Sequence, residues 1–112
     1  MPLVRISLRQ AMIDAFAIPP DDHFQVISEY APENLIYDPH YLGISRSDKV
    51  VFVQITMSQG RKPGQKRALF RGIVELLGKS PGVRPQDVFV NLVEVAWENW
   101  SFGNGEAQYT KD

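Results

Sequence analysis

A chain of 112 residues is one domain, with room for a modest core and not for two. Apolar residues make up 44% and charged residues 22%, and a net charge of −1 gives no electrostatic case for nucleic acid or an anionic membrane. Cysteine is absent, which excludes disulfides, thiolate catalysis and cysteine metal sites, and no carboxylate pattern around His23 or His40 has metal-site spacing.

No apolar run approaches the roughly 18 residues of a membrane span. The start, MPLVRISLRQ, lacks the long apolar stretch of a secretory signal. The expectation is a cytoplasmic protein.

In chain order, residues 3–8 (LVRISL) alternate apolar and polar and read as a strand with one buried face. Residues 11–18 (AMIDAFAI) read as the end of a helix stopped by Pro19 and Pro20. A second strand is expected over 23–30 (HFQVISEY), beginning at His23. Residues 31–49 hold Pro32, Pro39 and Gly43 among polar residues and read as a loop with room for a short ribbon. The β-branched run 50–57 (VVFVQITM) reads as a central strand.

A helix is predicted from Pro63 to Leu77, with Phe70, Ile73, Val74 and Leu77 at i, i+3, i+4 and i+7 forming one apolar face. Pro63 suits its first turn, Gly78 its C-terminal cap, and Pro81 blocks continuation. A further strand spans 87–95 (DVFVNLVEV), and the aromatic, Gly-rich tail WENWSFGNGEAQY reads as a turn or hairpin.

The two halves resemble each other. Residues 18–29 align with 83–94 at an offset of 65, with Pro20/Pro85, Asp22/Asp87, Phe24/Phe89 and Glu29/Glu94 identical. Residues 3–8 align with 52–57 at an offset of 49 through Ile6/Ile55, Ser7/Thr56 and Leu8/Met57. One α/β (α+β) domain of tandem β-α-β units follows, with unit one over 1–49 and unit two over 50–112. The units differ in their crossovers: 31 residues (58–88) separate the strands of the second, and only 15 (9–23) those of the first. Returning along a strand about 23 Å long takes about 15 helical residues plus loops. Either the first crossover helix is shortened or it is partly absent, with residues missing between Gln10 and Ala11.

MPLVRI at the start, AF-x-x-PPDD, S-x-GR-x-x-x-QK (58–66) and WSFG-x-G-x-A (100–107) together resemble the tautomerase superfamily, and within it the malonate semialdehyde decarboxylase-like two-unit members. The resemblance implies a β-α-β-β-α-β chain with a four-stranded sheet, helices on one face, and assembly as a homotrimer. It implies a cofactor-free enzyme that uses an N-terminal proline on small carboxylate-bearing substrates.

Pro2 carries that expectation. Once Met1 is removed, its nitrogen is a secondary amine, whose cation is disfavoured in an apolar pocket and which can then act as a base near neutral pH. A retained Met1 would turn that nitrogen into a non-basic amide. Arg61, after a strand and at the mouth of a helix, is expected to bind a substrate carboxylate. Its neighbours Lys62 and Lys66 read as solvated charges. Asp22 matches the acid that the decarboxylase relative uses to position water, although Asp87 holds the same place in unit two, where it would be a turn cap. Trp100 and Phe102 match aromatics that line the family's pocket. Tyr41, Arg46 and Tyr109 are weaker polar candidates on loops. The decarboxylase relative has a second arginine two residues before the counterpart of Arg61, where this chain has Gln59. That difference favours a tautomerase or hydratase acting on 2-oxo or unsaturated carboxylic acids, with a malonate semialdehyde-type decarboxylase or a non-catalytic trimeric scaffold as alternatives.

Overall fold

The computed structural model describes residues 2–19 and 24–110. The second half forms the expected β-α-β unit: β1 (Val51–Ser58), helix α2 (Pro63–Lys79) and β2 (Val88–Val95). The strands are parallel, with Val51 opposite Val88 and Ser58 opposite Val95. Because side chains alternate across a strand, Ile55, Met57, Val88, Val90 and Leu92 meet the helices. Phe52 and Phe89 pair on the opposite face, away from the helices, with ring centroids 5.0 Å apart.

Helix α2 begins with Pro63, and the Gln65 side chain reaches back to accept the Lys62 N–H at 2.9 Å. Its core-facing residues are Leu69, Ile73 and Leu77, all fully buried, with Leu76 beside them. The apolar face is therefore rotated from the one expected. Phe70 and Val74 look outward and, with Arg71 and Glu75, line a shallow depression of about 310 Å³. Gly78 lies within the helix, and the residue that turns the chain is Gly82, at φ 106°, whose N–H returns to the Leu77 carbonyl.

The first half departs from expectation. Residues 2–16 form one helix, α1 (Pro2–Phe16), unbroken across Gln10 and Ala11 and spanning 15 residues. Residues 3–8 are thus helical, residues 24–30 carry no strand, and among the described residues two of the four expected strands form. Helix α1 absorbs the segment expected to be a strand, so only its last eight residues, 9–16, belong to the crossover. Leu8, Ala11, Met12, Ala15 and Phe16 recur at helical spacing, and all five join the core against α2. The apolar contact between the two helices outweighs the short period-2 pattern of residues 3–8, which has no strand to pair with once the crossover is this short.

The two helices run antiparallel. Phe16, at the end of α1, lies by Arg61 before α2, while Ser7 donates its hydroxyl to Ser80 O at 2.7 Å at the far end of α2. At mid-length Ala11 sits against Gly72, small against small, where a Cβ added to Gly72 would stand 3.9 Å from that of Ala11. Residues 31–49 form two single 3-10 turns, Pro32–Asn34 and Tyr41–Gly43, and no ribbon.

Candidate active site

The expected site residues of unit two gather at the C-terminal end of β1. Gln59 N–H donates to Val95 O at 2.9 Å and keeps the strands paired to their ends. Gly60 follows at φ 114°, a backbone region that side chains disfavour, and swings the chain from strand toward helix. Arg61 is the first side chain after that turn. Its Nη1 donates to the Phe16 carbonyl at 2.9 Å, and its Cζ lies 4.8 Å from the centroid of the buried Phe16 ring. The last turn of α1 presents partial negative charge there, so cation and helix end suit each other. A guanidinium has five N–H donors, and one is committed to Phe16 among the described residues. The rest can hold a carboxylate.

Of the neighbouring cations, Lys66 is ion-paired with Glu94 of β2, and Lys62 is exposed at the start of α2. The aromatic tail closes over the same strand end. Trp100 Nε1–H donates to Ser58 Oγ at 2.8 Å. Its ring stacks on Phe102 at 5.3 Å with 10° between planes, Phe102 meets Tyr109 edge-on at 5.2 Å, and Tyr109 meets Trp97 edge-on at 4.8 Å. Gln108 clamps the turn between them, accepting the Phe102 N–H at 2.9 Å and donating to Gly103 O at 3.2 Å.

Trp100 and Phe102 are thus brought together, and Arg61 leaves the same strand three residues after Ser58. Pro2 is elsewhere. It opens α1 rather than preceding a strand over 3–8, and Phe16, which holds Arg61, comes fourteen residues later, about 21 Å away at about 1.5 Å per residue. Asp22 and His23 lie outside the described residues.

Asp87, the repeat partner of Asp22, is buried and accepts both the Ser47 N–H and the Ser47 hydroxyl at 2.7 Å, with Arg84 3.6 Å away. Burial pushes its carboxyl up, but the Ser47 hydrogen bonds and the Arg84 guanidinium outweigh that and hold it below the ordinary carboxylate value. It stitches the 44–50 loop to the start of β2.

Tyr41 and Arg46 occupy the other end of the sheet. Arg46 Nη1 donates to Tyr41 O at 3.0 Å, and both residues, with Tyr37, Phe52 and Phe89, line a depression of about 260 Å³. Tyr37 donates to Asp48 at 2.6 Å, and that carboxylate raises its hydroxyl above the usual phenol value. Phe52 precedes Ser58 by six residues, so this hollow is about 20 Å from the Arg61 end.

Sequence reasoning missed the Ser58–Trp100 bond and the Phe16–Arg61 contact. A half-buried indole N–H needs an acceptor, which was the available signal for the first. The second depends on α1 and had none.

The family described as "Tautomerase enzyme" matches residues 22–103. The probable tautomerase YusQ of Bacillus subtilis (strain 168) is 42% identical over 102 residues, 91% of this chain and 80% of its own. Among solved structures, FG41 malonate semialdehyde decarboxylase inhibited by 3-bromopropiolate is similar with a TM-score of 0.90 and 34% identity, over 96% of this chain and 82% of that one. A second malonate semialdehyde decarboxylase, described with decarboxylase and hydratase activities, gives 0.88 and 32%, over 96% and 83%.

Proposed function

We propose that this chain, which belongs to the tautomerase family, is a cofactor-free lyase that decarboxylates a small 3-oxo carboxylic acid, with Pro2 as its proton-transfer group. The supporting observation is the likeness, along 96% of the chain and above 30% identity, to two malonate semialdehyde decarboxylases.

In this reading Arg61 grips the substrate carboxylate through the donors that Phe16 leaves open. Trp100 and Phe102 supply an apolar wall, which strips water from the leaving carboxylate. The electrons of the breaking C–C bond move to the 3-carbonyl, whose oxygen takes a proton from the cationic Pro2 amine as CO₂ departs. The enol so formed ketonises by protonation at carbon, and Asp22 orients the water that restores the Pro2 proton.

Within one chain Pro2 and Arg61 stand at opposite ends of α1. Catalysis therefore requires either that the first turns of α1 unwind or that Pro2 of a neighbouring copy reaches Arg61. A trimer suits Phe52 and Phe89 on the sheet face away from the helices, which one chain leaves half-exposed. Sedimentation equilibrium should then give three times the 12.7 kDa chain mass.

A second reading, tautomerisation or hydration of 2-oxo or unsaturated acids, is favoured by the probable-tautomerase relative and by Gln59, which contributes no second cation to a carboxylate site. One preparation separates the readings. Protein made without a tag is first weighed intact for loss of Met1. It is then given malonate semialdehyde, with CO₂ release followed, and in parallel the enol of a 2-oxo acid. Faster decarboxylation supports the first reading, enol ketonisation alone supports the second, and neither leaves a trimeric scaffold. A retained Met1 or N-terminal extension should abolish turnover. In mixtures of Pro2-blocked and Arg61→Ala chains, recovered activity assigns Pro2 and Arg61 to different copies.

A further inference from the structure

Strand β1 ends at Ser58, whose hydroxyl lies at the junction of the aromatic tail and the segment leading to Arg61. Four rings, Trp97, Tyr109, Phe102 and Trp100, contact one another in series. Stacked and edge-on contacts of this kind set spacing but tolerate sliding and ring reversal. Among the described residues the series has one indole hydrogen bond to a strand, from Trp100 Nε1–H to Ser58 Oγ at 2.8 Å, and it is partly buried. That bond fixes which edge of Trp100 faces β1.

Ser58 itself is held firmly. It pairs in register with Val95, and the next residue, Gln59, donates to the Val95 carbonyl at 2.9 Å. Arg61 is held from the other side, by the Phe16 carbonyl and ring. The 58–61 segment therefore carries two tethers: one fixes the cation and the other fixes the aromatic wall.

We propose that Ser58 is a positioning residue, whose hydroxyl sets the orientation of Trp100, and through it Phe102, relative to Arg61. This rests on the functional reading above, in which those groups form the site. Ser58 acts on the placement of the bound acid during reaction more than on its capture, because the carboxylate grip belongs to Arg61.

The test uses the full chain. Two tryptophans give two indole signals in a ¹H–¹⁵N correlation spectrum, and Trp97→Phe assigns them. Ser58→Ala should shift the Trp100 indole proton upfield and speed its exchange with water. It should lower kcat about threefold to tenfold, the loss of one neutral hydrogen bond, with KM changed less than about twofold. Ser58→Thr keeps the hydroxyl and should restore both. Trp100→Phe keeps an aromatic ring, though a smaller one, and removes the donor, so it should reproduce at least the kinetic loss, and Ser58→Ala added to it should lower kcat no further. An unmoved indole signal, or an unchanged kcat in an active enzyme, overturns the positioning role alone. If the wild type turns over neither acid, the functional reading and the positioning role fall together, even where the indole signal moves. If Ser58→Ala does not fold, the Trp100→Phe and Ser58→Thr pair decides: equal kcat for Trp100→Phe and wild type overturns the role.

Discussion

Unit one and unit two share a sequence pattern and not a structure. Residues 83–94 enter β2 and pair in parallel with β1, while their repeat partners, 18–29, form no strand over the residues described. Phe24 and Val26 stand 88% and 96% exposed, whereas Phe89 and Asn91, their counterparts, sit in a ladder. What separates them is the crossover. Thirty-one residues let α2 return along the sheet, and fifteen do not, so the first strand segment is drawn into α1 instead. A strand-forming pattern becomes a strand only where the chain can bring a partner to it.

The strongest way to break this comparison is to equalise the crossovers. Inserting sixteen helix-forming residues between Gln10 and Ala11, the difference between 31 and 15, should free residues 3–8 for the sheet. Hydrogen exchange at 3–8 and 24–30 should slow by about a thousandfold or more as those amides enter a ladder. If 24–30 still exchanges fast, side-chain pattern and not length is responsible. Next in size is a pair of truncations read by urea unfolding. Ile73→Ala, in the fully buried face of α2, should cost about 2–5 kcal/mol, and Val26→Ala no more than about 0.5 kcal/mol.

Asp87 sharpens the contrast from the side of unit two, at the turn that leads into β2. Asp87→Ala strands the Ser47 N–H and hydroxyl and should cost about 1.5–3 kcal/mol. Its folded carboxyl titrates below the ordinary value. Its stabilisation is therefore complete above the unfolded carboxyl pKa of about 3.9 and is lost as pH falls through the lower folded value. Asp87→Asn should flatten the urea midpoint across that acid range, and an unchanged slope would mean that other carboxyls carry it. Smallest is the effect at the contact between the units. Arg61→Ala should lower kcat/KM about tenfold, from loss of a charge-assisted pair, and loosen the end of α1; Lys62→Ala should change kcat/KM less than about twofold. Equal effects would point to a diffuse basic surface.

The second unit was legible because its signals agree. Strand patterns at 50–57 and 87–95 emerge as Val51–Ser58 and Val88–Val95, and Pro63 opens α2 as its chemistry requires. The apolar face of α2 was misjudged because Phe70 and Leu69 both continue a helical stripe, and only the position of α1 decides between them. The first strand was misread for a related reason. LVRISL alternates, but Leu8 also begins the helical series that runs through Ala11, Met12, Ala15 and Phe16 to the core. Of the candidate site residues, Arg61, Trp100 and Phe102 are named by the resemblance alone. What holds them is set by long-range contacts, from Phe16 and Ser58, that residue spacing does not encode.

Both tryptophans of the chain belong to the one aromatic series beside Ser58. Intrinsic emission is thus a local reporter, reading the strand end and the tail and insensitive to α1. Far-UV circular dichroism is dominated by the two helices, most of whose contacts lie on the opposite face of the sheet. Melting the protein while recording both signals separates the wall from the scaffold without any labelling. Curves that overlay describe one cooperative body. An emission change that comes first describes an aromatic tail that comes away from a sheet still intact.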